Sequence, residues 1–260
     1  MLALISRLKQ ALLGQAPADT PMPDADQVAA LIAKIRSDSL SYCGPPKLEN
    51  IAEAIQRVRE ERVAGSYLEA GVALGGSAIL IGQLKPRASV LRLYDVFGMI
   101  PPPTANDGQD AHDRFAEIAS GQSAGLGGQT YYGYVDNLID VVRANLERHG
   151  LDLRADNIEL VPGLFEDTLS PDWPVALAHI DCDWYDSVKI CIERLAQVMA
   201  PGGIMVFDDY SSYSGCNRAV DEFLAVAPDF ERIFHRRSLG VRRRPSNGRP
   251  EGASVPGRSG

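Results

Sequence analysis

The sequence is poor in cysteine and in histidine, with four of each, and both shortages narrow the chemistry. Cys43, Cys182, Cys191 and Cys216 contain no C-x-x-C pair, which speaks against a zinc finger and against the disulfide framework of a small secreted domain. They are expected to be reduced, partly buried thiols of a cytoplasmic protein. Basic residues are also in deficit, 26 Lys and Arg against 34 Asp and Glu, for a net charge of −8. That balance excludes nucleic acid as the main partner, because a phosphate backbone demands a basic face. No apolar run reaches the ~20 residues that span a bilayer. There is no H-E-x-x-H and no P-loop, which removes zinc-protease and NTPase readings.

What is present suits an ordinary globular domain, 45 % hydrophobic and 23 % charged over 260 residues, enough for one large core. Residues 1–24 read as an amphipathic helix (Leu4, Leu8, Leu12) and a Pro-rich linker. Arg7, Lys9 and Gln10 interrupt the apolar stretch that a signal peptide would need. A folded domain is expected over 25–244, and a Gly-, Pro- and Arg-rich disordered tail over 245–260. In LENIAEAIQRVREERV, Leu48, Ile51, Ile55 and Val58 recur at helical spacing, so this helix should pack beside the sheet and hold no chemistry.

From residue 66 short apolar runs alternate with helical patterns, the signature of a parallel α/β sheet. Strands are predicted at SYLEAG, SVLRLYD, NIELVPG, VALAHIDCD and GIMVFDDY, and a closing pair at ERIFHRR and LGVRRR. LIDVVRANLERHG and SVKICIERLAQVMA read as helices. The fold expected is α/β, a mostly parallel, doubly wound Rossmann-like sheet with a terminal antiparallel strand. Residues 101–134, Gly-rich and carrying Tyr131, Tyr132 and Tyr134, form a connection so long that it should be a lid or a disordered insert.

Three constellations carry candidate chemistry. Glu69, Gly71, Gly75, Gly76 and Ser77 occupy the turn after the first strand. Glycines there allow close backbone approach, the following helix start suits a carboxylate, and Glu69 is placed to attract an amino group. The spacing is not the G-x-G-x-x-G of dinucleotide folds. Asp95 closes the second strand, where an acid can accept both hydroxyls of a ribose. Asp181, Asp183, Asp208 and Asp209 end two further strands, and open α/β sheets bind ligands along that edge. Carboxylates so close would raise one another's pKa unless a cation lay between them, and all-oxygen donors favour Mg²⁺ or Ca²⁺ over zinc. Asp183 and Asp186 also read as N-caps of the next helix. His179 reads as a satisfied structural histidine, His149 as a helix C-terminal residue facing the macrodipole, and His112 has no assigned role.

These residues resemble a known family. Lys47–Leu80 (KLENIAEAIQRVREERVAGSYLEAGVALGGSAIL), DVFGMIPPP, VPGLFEDTL, HIDCDWYDS and PGGIMVFDDYSSYSGCNRAVDEF are similar, in order, to segments of the macrocin O-methyltransferases. The resemblance implies a class I methyltransferase sheet, S-adenosylmethionine (SAM) as donor and Mg²⁺ chelating adjacent hydroxyls of a small-molecule or glycan acceptor. It implies Asp181, Asp208 and Asp209 as metal ligands, with Asp181 also the base. Glu69, Gly71 and Ser77 would contact the methionine end, Asp95 the ribose, and Gly163 and Phe165 the adenine side. DVFGMIPPP departs from the family's D-S-F, and 101–134 has no counterpart, so the acceptor stays open among natural-product sugars, glycans and lipids. The competing readings are a nucleotide-cofactor (NAD-type) oxidoreductase and a non-catalytic scaffold. A homodimer is compatible with the sequence.

Overall fold

The computed structural model describes residues 21–245. The expected N-terminal helix lies outside them, apart from the end of its linker, as does nearly all of the expected tail. Two helices come first, α1 (Ala25–Ser37) and α2 (Pro45–Glu60). Asp24 caps α1 in a reciprocal capping box with Gln27. Proline opens α2, where its missing N–H costs nothing.

There follow β1 (Ser66–Ala70), α3 (Gly76–Leu84), β2 (Leu91–Asp95), α4 (Gln109–Ala119), α5 (Leu138–Arg148), β3 (Ile158–Pro162), α6 (Phe165–Thr168), β4 (Val175–Ile180), α7 (Tyr185–Leu195), β5 (Met199–Phe207), α8 (Ser214–Val226), β6 (Phe230–Arg236) and β7 (Ser238–Arg243). The seven strands run in the order β3-β2-β1-β4-β5-β7-β6. The first five are parallel, and β7 is antiparallel to both β5 and β6. The expected α/β fold is therefore the observed one.

Strand alternation divides the interior into two cores. Tyr67, Leu93, Leu177 and Val206 face α1, α2, α3 and α5 through Ile35, Leu48, Ile51, Ile55, Leu80 and Val142. Leu68, Tyr94, Ala178, Ile180 and Phe207 face α7 and α8 through Val188, Leu195 and Val220. Helices on both faces explain why the central strands read as apolar runs without polar alternation.

The order reverses between β1 and β4, and there the strands approach closely. The Asp181 N–H donates to the Ala70 carbonyl at 2.8 Å. Gly71, in the left-handed region at φ 92°, lies so near that a Cβ would meet the Asp181 carbonyl oxygen at 1.8 Å. Only glycine fits. A Cβ on Gly76 would likewise meet the Leu40 carbonyl at 2.4 Å, so this glycine lets the 40–41 backbone lie against the start of α3.

Two expectations change. The predicted helix SVKICIERLAQVMA ends at Leu195, and Met199 is already in β5, paired with Val175. Sheet pairing overrides the helix propensity of Met and Ala here. Of the two readings of the 101–134 segment, a lid or a disordered insert, the second does not hold: the segment carries α4, two 3₁₀ turns (Leu126–Gly128 and Tyr132–Tyr134) and an Ala124–Thr130 bridge. Ala111 and Ile118 are the buried residues of α4, too thin a stripe to stand out among polar neighbours.

Candidate active site

The carboxyl ends of β1, β2, β4 and β5 open into a cleft of about 400 Å³. Its lining includes Gly71, Asp95, Gly163, Phe165, Asp181, Asp183, Asp208 and Asp209. Seven of the predicted site residues thus meet in one place, with Asp183 beside them. Glu69, Gly75, Gly76 and Ser77 are not in that lining; all four are buried, Gly76 against the 40–41 backbone.

Glu69 has a different partner from the one its sequence position suggests. It lies opposite His179 in the β1–β4 register, and His179 Nδ1 and Glu69 Oε1 are 2.8 Å apart with both side chains fully buried. The other edge of the imidazole, Nε2, points toward Asp208 Oδ1 at 3.6 Å. Burial alone would lower the His179 pKa, but the Asp208 and Glu69 carboxylates outweigh it and push it up to about 10. The expectation of a satisfied histidine is half right, because Nε2 has no hydrogen-bond partner.

Asp95 also does more than its strand-end position suggests. Oδ2 accepts from the N–H groups of Val72 (2.6 Å) and Ala73 (3.2 Å), and Oδ1 from Phe97 N–H at 2.7 Å. The carboxylate therefore clamps the β1–α3 turn to the end of β2. Burial still pushes its pKa up despite these donors.

The acidic set falls into two overlapping groups. Single oxygens of Asp181, Asp183 and Asp209 lie within 4.8 Å of one another. Asp208 instead joins Asp181, His179 and Cys43 in a second group of the same compactness. Asp183 sits at φ 57°, a turn that leaves it in the cleft and off the helix cap. The N–H of Tyr185 in α7 is taken by Asp107 at 2.7 Å, and Asp186 accepts from Thr104 at 2.7 Å and from Asn106. Burial and the neighbouring aspartates push Asp181 and Asp183 well above the usual carboxylate range. Burial would raise Asp208 too, but His179 and Lys47 bring it below that range.

Lys47 and Cys43 were not anticipated as site residues. Lys47 lies on α2, the helix expected to hold no chemistry. Its ammonium is 2.5 Å from Asp208 Oδ2 and 3.5 Å from Asp209 Oδ1. Burial alone would lower its pKa; the two aspartates hold it well above the normal lysine value. The Cys43 thiol donates to Asp181 Oδ2 at 3.5 Å. No local signal marks either residue, since 161 and 138 positions separate them from their partners.

The 101–134 segment closes one side of the cleft and is pinned to the helices that follow β4 and β5. Trp184 Nε1 donates to the Pro101 carbonyl (2.8 Å), Ser214 N–H to Asp110 (2.7 Å), and Arg218 to the Asn106 carbonyl (2.6 Å). Tyr131 and Tyr132 pack with tilted rings, centroids 4.4 Å apart, and Tyr42 lies edge-on to both, forming an aromatic wall. Gly121–Gly125 has G-x-S-x-G spacing, but Ser123 is buried under Arg114 and Tyr134 with no histidine beside it, so it is no nucleophile elbow. His112 contacts the Thr104 carbonyl, and His149 caps the end of α5 against Asp38, as its position suggested. Among the described residues no helix is long and apolar enough to cross a membrane.

Residues 33–231 match the macrocin-O-methyltransferase family. A tetracenomycin-C 4'-O-methyltransferase of Streptomyces olivaceus, acting on the 8-demethyl-8-(2,3-dimethoxy-alpha-L-rhamnosyl) form, is 30 % identical over 186 residues. The match covers 69 % of this chain and 66 % of that protein, just under two thirds of its length. The demethyldecarbamoylnovobiocin O-methyltransferase of Streptomyces niveus is also 30 % identical, over 70 % of this chain and 66 % of its own. The solved O-methyltransferase NovP superimposes with a TM-score of 0.62 at 26 % identity, over 78 % of this chain and 81 % of that one. The sheet is accordingly that of the class I methyltransferases, and this chain belongs to the macrocin O-methyltransferase family.

Proposed function

We propose that this protein is a SAM-dependent O-methyltransferase that methylates a hydroxyl on a sugar or similar natural-product acceptor, with a divalent cation of the Mg²⁺ type in its site. One observation carries the reading. Four carboxylates meet at the ends of β4 and β5, beside the switch point of the sheet, and two of their buried oxygens, Asp208 Oδ1 and Asp209 Oδ2, have no hydrogen-bond partner. Unpaired buried oxygens are costly, and a hard divalent ion satisfies such a set.

Asp181, Asp208 and Asp209 would hold the ion, with Asp183 close enough to join them. Gly71 and Asp95, with Gly163 and Phe165, would line the SAM side; Glu69, Gly75, Gly76 and Ser77 would support that side from within the fold. When bound, SAM supplies an electrophilic sulfonium methyl and the cation lowers the pKa of an adjacent acceptor hydroxyl. Asp181 would take the hydroxyl proton as the oxygen forms its bond to the methyl carbon, while the carbon–sulfur bond breaks with its electron pair going to sulfur, leaving S-adenosylhomocysteine as the neutral thioether product. Asp95 orients the donor, and the 101–134 segment with its tyrosine wall keeps water from the reacting atoms. Four buried free cysteines fit a reducing compartment, the cytoplasm.

The test of the whole reading is methyl transfer from labelled SAM to glycosylated natural-product acceptors, followed through EDTA treatment and Mg²⁺ readdition. Activity should vanish and return. Full activity after exhaustive chelation would overturn the metal part of the proposal.

Asp95→Asn tests the SAM side. Asparagine keeps the size and one acceptor oxygen but places an amide donor against backbone N–H groups. SAM affinity should fall by about 1.5–3 kcal/mol, the worth of a hydrogen bond to a charged group. Unchanged affinity in calorimetry would restrict Asp95 to holding the turn.

A further inference from the structure

Behind Asp181 and Asp208 the cleft wall carries two groups that methyl transfer does not use, the Cys43 thiol and the Nε2 edge of His179. Both residues are buried, at 4 % and 0 % exposure. His179 Nε2 and Asp208 Oδ1 face each other at 3.6 Å, and neither has a hydrogen-bond partner. Cys43 Sγ stands 3.5 Å from Asp181 Oδ2. The four side chains bring their ligand atoms within 4.8 Å of one another.

These separations have a specific meaning. Zinc bonds of about 2.0–2.3 Å in a tetrahedron put neighbouring ligand atoms about 3.4 Å apart. The Sγ–Oδ2 and Nε2–Oδ1 separations, 3.5 Å and 3.6 Å, are already edges of such a figure. Glu69 holds His179 by Nδ1 at 2.8 Å, the carboxylate–histidine arrangement that orients an imidazole toward a metal. Lys47 occupies Oδ2 of Asp208 and leaves Oδ1 turned toward the histidine.

We propose that Cys43 Sγ, His179 Nε2 and one oxygen each from Asp181 and Asp208 form a second cation site, suited to Zn²⁺ and similar borderline-soft ions. Thiolate and imidazole select such ions, whereas the neighbouring Asp181, Asp183 and Asp209 offer oxygen alone and suit Mg²⁺. The two sites share Asp181 and Asp208, so occupation of the Cys–His site withdraws both carboxylates from the methyl-transfer site and inhibits it. On binding, the thiol proton and the Nε2 proton leave to solvent, and the ion takes their place. The inhibitory consequence rests on the function proposed above; the site itself does not.

The experiment uses Co²⁺ as a spectroscopic probe on the full chain, with Zn²⁺ in competition. Wild type should show a thiolate-to-cobalt charge-transfer band and the intense visible bands of tetrahedral cobalt. Both should be lost or collapse in Cys43→Ser, and Zn²⁺ affinity should fall at least 10-fold. Absence of cobalt binding, binding without a thiolate band, or a band that persists in Cys43→Ser because another cysteine supplies it, each overturns the site. In the activity arm, one equivalent of Zn²⁺ at fixed Mg²⁺ should suppress methyl transfer in wild type. Zinc binding with unaltered turnover overturns the inhibitory half. A protein with no methyl transfer under any condition refutes the function proposed above, and the cobalt spectrum still decides the site.

Discussion

Asp209→Asn should lose methyl transfer almost entirely while keeping SAM affinity within about twofold. Asp209 is 5 % exposed, lies next to Asp208 at the end of β5, and has one oxygen with no partner. Replacing it removes one of the negative charges that a divalent ion needs, and places an amide beside Lys47, which stands 3.5 Å from the Asp209 carboxylate. Mutating the groups that merely orient metal ligands already costs about 10–100-fold in metal affinity or activity, and losing a ligand itself should cost more. Because this residue would serve the acceptor side, the deficit should shrink as Mg²⁺ is raised, while SAM calorimetry hardly moves. Wild-type turnover at limiting Mg²⁺ would remove Asp209 from the site. A parallel loss of SAM binding would show instead that the substitution disturbs the sheet edge as a whole.

Glu69→Ala should be the most damaging single change to stability, about 3–5 kcal/mol, the usual cost of breaking a buried ion pair by deleting one partner. The substitution leaves His179 between β1 and β4 with Asp208 as its remaining counter-charge. Urea denaturation reads the loss directly. The pair also predicts a pH trend. His179 is held up at about 10, above its ordinary 6.5, so its stabilisation is complete below pH 6.5 and fades as pH rises toward 10. Wild-type stability should decline across that window, and Glu69→Gln should flatten the decline. An equal slope in both proteins would mean that the histidine is neutral in the fold and that Glu69 serves another purpose.

By itself the sequence determined the architecture and the place of the candidate site. Apolar runs such as VALAHI and GIMVF are local signals of buried parallel strands, and acids directly after them must emerge at the carboxyl edge, whatever the rest of the chain does. Asp95, Asp181, Asp208 and Asp209 were legible for that reason, and the ordered motifs from Lys47 onward pointed to the family. Only the tertiary structure decided who partners whom. Glu69 faces His179 because the β1–β4 register sets them opposite each other, and a register belongs to the whole sheet, not to either strand. Lys47 and Cys43 reach the aspartates because α2 crosses the sheet face with its first turn at the carboxyl edge, a packing decision made by Leu48, Ile51 and Ile55 in the core. The helix within 101–134 was hidden for a related reason: it and the turn before it are secured by polar bonds of Asn106, Asp107 and Asp110 to α7 and α8, and bonds to distant elements leave no periodicity in the segment that makes them.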